Sequence, residues 1–514
     1  MSNLAQPAVI WTALIYLALV VAIGFWAARR TRSPKDFFIA GQSIGLIVTG
    51  LAVTSAAFSG FIFMGGPGMA YRMGLASLFI VIPSSFTAGM LCWVVAKRLR
   101  LLAEVREIYT VPDVIFCRYR SRRASGLAAV AVLVGTIGYL GAQLKALGIL
   151  IEAIFGTREV LGGWSLAAAM AVGLVIVVFY ATAGGMVAGV YTDLFQGALM
   201  VGAAIAVFYY ALRVGGGLEQ MTRSIAESQR FGPSHLDPMG SIPVFTAMGF
   251  FFVFAVGSLG QPHMLHKFFM IDDPRKLKWM PMVIGVSQTL CVLIWLGIGL
   301  AVPALVAGGR LAPLDNPDQA SPLFLLGFTP AILAGLVFAG ILAAIMSTAD
   351  SFLNIGAAAL VRDLPKAFGR KVGDELAWGR LAVVAIAVSA AVFAYVYGDL
   401  IALLGTFAFG TFGAALVPAL AVGLNWHRVT AAAATASIAT GMGVNLVLEF
   451  LAKQTFIPCL PGLPFQSGIL PSAVSLAASF TVLFLVTWFT WNRRQPDLGE
   501  DVDFVMSVGK STSK

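Results

Sequence analysis

Gly340-Ile341-Leu342-Ala343-Ala344-Ile345-Met346-Ser347-Thr348-Ala349-Asp350-Ser351 places two adjacent hydroxyls and a carboxylate inside a run that is otherwise compatible with lipid. Polar groups at membrane depth are expensive unless they bind something. On a helix, Ser347 and Thr348 are neutral oxygen donors about 100° apart, and Ala344 lies one turn below Ser347 on a neighbouring line. Serine and threonine in membrane helices also bond the carbonyl four residues back or join two helices. The rest of the chain decides between these readings.

The 514 residues are 59% hydrophobic and 11% charged, where soluble proteins carry about 25% charged residues. With a mean hydropathy of +0.88, the chain is an all-α polytopic membrane protein. Its 55 glycines suit helices that pack closely or break within the bilayer. The net charge of +10 lies in short loops, which argues against a nucleic-acid partner. Cys92, Cys117, Cys291 and Cys459 show no paired or metal-type spacing, so neither a disulfide framework nor a zinc site is expected. No basic residue precedes Arg29, so Pro7 to Ala28 reads as a retained span rather than a cleaved signal peptide.

Apolar runs of about 20 residues occur thirteen times, at 8–28, 44–66, 74–96, 124–153, 163–184, 190–212, 243–262, 278–303, 326–351, 378–398, 400–424, 429–450 and 471–492. If the loop after the first run is cytoplasmic, inner segments hold 26 Lys/Arg and outer segments 7, with Lys145 left within a helix. The positive-inside rule then predicts an outer N-terminus and a cytoplasmic C-terminus. No loop has room for a kinase or nucleotide-binding module. The stretch Leu101 to Arg123 mixes apolar and charged residues and is expected on the inner membrane surface.

Two runs are interrupted alike. The second meets Gly60, Gly65, Gly66, Pro67 and Gly68, and the seventh meets Gly257, Gly260 and Pro262. Each heads a block of five runs, 44–212 and 243–424, and the odd block length makes the copies face opposite ways. This predicts an inverted repeat with a solute and ion site where the broken helices cross, because unwound backbone there offers carbonyls and amides. Outside the repeats lie 8–28, two further helices within 429–492, and a tail at 493–514.

Several separated motifs, in order, resemble the solute:sodium symporter family. They are Asp36-Phe37-Phe38-Ile39-Ala40-Gly41, Ser59-Gly60, Ala183-Gly184-Gly185-Met186 through Thr192-Asp193, Gly260-Gln261-Pro262-His263, and Ala344 to Ser351. The Ser-Gly and Gly-Gln-Pro-His pieces resemble the proline-transporting branch. The resemblance implies a thirteen-helix, LeuT-like fold with a five-plus-five inverted repeat, working by alternating access. It also implies a sodium site on the carbonyls of Ser55, Phe58 and Ala344 and the hydroxyls of Ser347 and Thr348. Five neutral oxygens suit a small monovalent cation that must leave at each cycle. The family's proline-type members carry an acidic residue where this chain has Ala57, which leaves proton coupling open beside sodium.

Asp193 matches a family aspartate on the sodium exit path, or it caps a helix starting at Leu194. Asp350 either attracts the ion toward the cytoplasm or pairs at the membrane edge. His263 and His266 are expected as turn residues in a basic loop. The solute pocket is expected beside the breaks, on Ser59, Gly60, Phe61, Tyr139, Gln143, Phe254 and Ser258. Lys145 is the one basic residue inside an expected span, and it either faces a carboxylate solute or snorkels outward. The function expected is a sodium-coupled symporter of the bacterial inner membrane that imports a small organic solute, an amino acid such as proline or another carboxylate-bearing nutrient. Its partners are then that solute, Na+ and the bilayer, with Na+ as coupling ion, no other cofactor, and an oligomeric state that includes the monomer. Rival readings are a monocarboxylate or sugar permease and a transporter-like nutrient sensor. A channel or an enzyme fits less well, for want of a filter-like sequence or a nucleophile–base set.

Overall fold

A computed structural model describes residues 7–28, 44–240, 242–453, 469–492 and 497–507. The Asp36 to Gly41 motif and Cys459 lie outside them, as do the side chains of 183–191 and much of the tail. The principal helices are α1 (Pro7–Ala28), α2 (Leu46–Ala57), α3 (Gly66–Met73), α4 (Val111–Tyr119), α5 (Arg122–Phe155) and α6 (Ser165–Gly215). They continue with α7 (Val244–Gly257), α8 (Pro262–Phe269), α9 (Met280–Ala307), α10 (Ala331–Ala358), α11 (Glu375–Tyr397), α12 (Ile401–Val417), α13 (Ala431–Lys453) and α14 (Pro471–Thr490). Among the described residues eleven segments are long and apolar enough to cross a membrane, and Leu46–Ala57 is a shorter apolar helix.

Both expected interruptions are present. Between α2 and α3 the chain passes through Phe58-Ser59-Gly60 and a wide helical turn at Phe61–Gly65. Between α7 and α8 it passes through a tight turn at Ser258–Gly260 and extended backbone at Gln261. Missing intrahelical bonds at these points leave carbonyls free for other partners.

Residues Ser165–Gly215 form one helical element of 51 residues, where the sequence predicts two spans. Its packing shows two crossings. Tyr139 stacks on Phe352 and Gly356 lies against Thr136, so α5 and α10 are antiparallel. Gly148 meets Met170 and Gly173 meets Leu147, while Thr157 Oγ1 lies 2.7 Å from Ser165 Oγ at the turn between the helices, so the first arm of α6 runs back against α5. Asp193 meets Ser347 while Gly340 meets Leu199 and Ala203, so the second arm runs against α10. The arms therefore run in opposite senses, and no proline or charged residue marks their junction at 183–191.

One further difference from the sequence reading appears. The run 74–96 is not one straight span: it starts in a tight turn at Gly74–Ser77 and bends at Pro83. Gly74 has φ +65°, and a Cβ there would lie 1.9 Å from the His235 carbonyl oxygen, so only glycine fits. Within the stretch 101–123, α4 packs into the bundle. Every residue of α4 except Phe116 is buried, and Arg118 donates to the carbonyls of Gly423, Trp426, His427 and Val429. A guanidinium can be buried here because four carbonyls at the end of the α12 segment accept from it.

Burial grades the helices. Within an 18-residue apolar stretch of Ile401–Val422 and of Ala331–Ala367, 89% and 78% is buried, against 33% for Ala431–Leu451 and for Pro471–Thr490. The centre of the bundle is thus α5, α10, α12 and the two broken helices, with α13 and α14 on its flank.

Candidate ion and solute site

At the first break, side chains take over the backbone's hydrogen bonds. The Gly60 amide, which in a continuous helix would bond the Ala56 carbonyl, donates instead to Gln143 Oε1 at 3.0 Å. The Phe61 amide donates to Ser59 Oγ at 3.2 Å. Ser59 Oγ lies 3.3 Å from both Tyr139 Oη and Gln143 Nε2. A Cβ on Gly60 would come within 2.7 Å of Ala146, so glycine permits the approach of α5. Ser59, Gly60, Tyr139 and Gln143, all predicted site residues, are thus brought together, with Gln143 holding the break open.

The carbonyls freed by this arrangement point at α10. Thr348 Oγ1 donates to the carbonyls of Ser55 (3.4 Å) and Ala56 (3.2 Å), and Ser55 Oγ donates to Ser347 Oγ at 2.7 Å. Ser347 Oγ in turn donates to Asp193 Oδ1. Ala344 is buried on α10 one turn before Thr348, and Phe58 is buried at the C-terminal cap of α2. Ser55, Ser347, Thr348 and Asp193 therefore form one buried oxygen cluster of the kind a small cation needs.

Asp193 is not a helix cap: α6 runs through it, and its carboxylate is fully buried. Its Oδ2 accepts from Lys267 Nζ at 2.7 Å, an ion pair in which both side chains are buried. Asp350 has two more turns of α10 after it. It is buried, with Oδ1 accepting from Asn354 at 3.0 Å. His263 and His266 are not loop residues but lie on α8, both buried. His266 Nε2 lies 2.9 Å from the Tyr109 carbonyl. The His263 ring packs between Phe352 and Tyr139, at centroid distances of 4.3 and 5.7 Å.

Beside the cluster lies a cavity of about 50 Å³ lined by Ala57, Phe61, Tyr139, Phe254, Ser258 and Phe409, among others. Phe254 stacks on Phe61 (5.6 Å) and Phe409 (4.6 Å). The second break is serviced as the first is, by a glutamine: Gln261 Nε2 donates to the Gly257 and Phe409 carbonyls at 2.9 and 3.1 Å. Four of the expected pocket residues line the cavity, and Ser59, Gly60 and Gln143 stand behind it. Lys145 does not line it. Its ammonium donates to the Asp399 carbonyl and lies 4.0 Å from Asp318 Oδ2. Two residues beyond Gln143 on a helix, it points away from the Gln143 face.

The family model described as "Sodium:solute symporter family" matches residues 37–441. The chain belongs to the sodium:solute symporter family. It is 28% identical to the osmoregulated proline transporter OpuE of Bacillus subtilis (strain 168), over 90% of this chain and 94% of that one. It is 30% identical to the sodium/proline symporter of Haemophilus influenzae, over 86% and 88% of the two chains. A Na+-coupled sialic acid symporter, solved substrate-bound and outward-open, shares the fold at a TM-score of 0.76 and 16% identity, covering 96% of this chain and 99% of that chain. This symporter is therefore a multi-pass bacterial plasma-membrane transporter that couples a solute to Na+, with the LeuT-like architecture that the resemblance implies.

Two residues of this region, Lys267 and Asp318, do not stand out in the sequence. Lys267 falls in an expected inner loop, although Phe268-Phe269-Met270-Ile271 directly after it signals a buried segment. Asp318 carries no signal, since an acid between two spans is ordinary. Phe409, Gln288 and Met264 line the cavity from spans that carry no break, or from beyond one.

Proposed function

We propose that this symporter imports a small amino acid, proline foremost, with Na+ held by the hydroxyls of Ser347 and Thr348 and the carbonyls of Ser55, Phe58 and Ala344. The observation that carries the reading is the meeting of the α10 hydroxyls with carbonyls freed by the α2 break, beside an apolar cavity. Phe61, Phe254 and Phe409 suit the apolar body of such a solute. Its charged ends would be met by the backbone at the breaks and by Tyr139 and Ser258. Asp193 and Asp350 line the ion's inward path. The segments 44–212 and 243–424 act as inverted repeats, with the N-terminus outside and the C-terminus in the cytoplasm. The chain works as a transporter and not as an enzyme. One Na+ moving down 100 mV supplies about 2.3 kcal/mol, enough to concentrate a solute roughly 50-fold.

A second reading, an uncharged or monocarboxylate solute, is favoured by Ala57, which lines the cavity where the proline-type members carry an acid. Uptake into proteoliposomes across a panel of amino acids, monocarboxylates and sugars, with Na+ or choline outside at fixed pH, tests both. Proline uptake that depends on Na+ supports the first reading. Uptake confined to a monocarboxylate or sugar replaces the solute, and uptake indifferent to replacement of Na+ by choline replaces the ion.

A further inference from the structure

Lys267 is a buried cation at the edge of the oxygen cluster, and the transport function proposed for the cluster makes no use of it. Its Nζ lies 2.7 Å from Asp193 Oδ2, while the other oxygen of the same carboxylate is engaged by Ser347, one of the hydroxyls assigned to Na+. The ammonium carries one positive charge and hydrogen-bonds like a small cation. With Asp193 it makes the pair neutral. Adding Na+ beside Ser347 would leave two cations on one carboxylate in a low-dielectric site, where their repulsion is strong.

We propose that the Lys267 ammonium is a tethered occupant of the cation site, neutralising Asp193 while Na+ is absent and displaced from it when Na+ binds. The inference rests on the proposed sodium site. A destination for the displaced ammonium is on hand. Asp350 lies one turn beyond Ser347 on the same helix. Its buried Oδ2 has no hydrogen-bond partner among the described residues. Lys267 stands on α8, directly past the second break, so the exchange would tie ion occupancy to the position of the broken helix. Lys267 then weakens the resting affinity for Na+ and returns to Asp193 as the ion leaves, which speeds release.

The test is direct binding of radioactive Na+ to purified protein kept in Na+ throughout preparation. Lys267→Gln should bind Na+ about tenfold more tightly than wild type, and Lys267→Arg, which keeps the charge, should remain within about threefold of wild type. Lys267→Gln leaves a lone buried carboxylate and can fail to fold. The neutral pair Asp193→Asn/Lys267→Gln avoids this and should bind Na+ at least about fivefold more tightly than Asp193→Asn alone, in which the ammonium remains without its carboxylate. Loss of a merely structural contact weakens binding and does not produce this tightening. A folded Lys267→Gln, or a neutral pair, that binds Na+ no more tightly than its parent overturns the proposal. If Ser347→Ala leaves Na+ binding unchanged, the sodium-site reading itself fails, which is a separate result.

Discussion

Among the described residues, two buried lysine–aspartate pairs differ in how they are built. Lys267 and Asp193 are 2.7 Å apart with side-chain exposures of 1% and 0%, and Asp193 also engages Ser347 of the oxygen cluster. Lys145 and Asp318 are 4.0 Å apart with exposures of 10% and 1%. Asp318 Oδ2 also accepts from the Ile401 amide at 3.0 Å, so the carboxylate satisfies the first turn of α12, where a negative charge is favourable. Lys145 bonds the Asp399 carbonyl just before that helix. The second pair thus staples α5 to the start of α12 through a short turn, held on both sides by fixed backbone groups. The first pair joins two side chains beside exchangeable hydroxyls. The first pair is linked onward to the side chain of Ser347, whereas the second pair is tied to backbone groups.

The sharpest way to separate the pairs is to neutralise each acid. Asp193→Asn should raise the Na+ concentration for half-maximal uptake by about 10- to 100-fold, the effect of losing a charged hydrogen-bonding partner. Asp318→Asn should move it by less than about threefold. Equal effects in Na+ titrations of proteoliposome uptake would erase the distinction.

Next in size are Ser347→Ala and Thr348→Ala, each expected to weaken Na+ binding by about 1–3 kcal/mol. Solute affinity at saturating Na+ should change much less. Unaltered sodium dependence in both folded variants would remove the oxygen cluster from the ion site.

Lys145→Gln sharpens the comparison from the other side. Because Lys145 faces Asp318 and not the cavity, solute affinity should stay within about threefold, while thermal unfolding in detergent should show a loss of about 1–2 kcal/mol. Tenfold weaker solute binding at unchanged stability would instead return Lys145 to the solute site, as a counter-charge for a carboxylate.

The smallest effect is on pH. Burial pushes the Asp318 carboxyl from 3.8 up to about 6, partly offset by the Lys145 ammonium and the Ile401 amide. The folded state therefore keeps a proton that the unfolded state has lost between about pH 4 and pH 6, and this group's contribution to stability falls as pH rises through that window. From about pH 5 to pH 7 the wild type should lose about 1.4 kcal/mol relative to Asp318→Asn. Parallel melting curves for the two proteins would show that Asp318 does not titrate there.

Local composition dictates the elements of this molecule. Apolar runs with few charges read as membrane helices, and clustered glycine with proline at matching places in two of them marks the breaks, so both interruptions are legible in the sequence. Ser347 and Thr348 stand out there because a hydroxyl pair in such a run is costly without a partner. The partners themselves are set only by the packed bundle. Gln143 turns to the Gly60 amide, Asp193 turns to Ser347 and Lys267, and Lys145 turns to Asp318 and not to the cavity, each across more than 70 residues of chain. A side chain's position along its own helix is given by the helical period. The charge it meets across the bundle depends on how distant helices pack, and no local pattern encodes that.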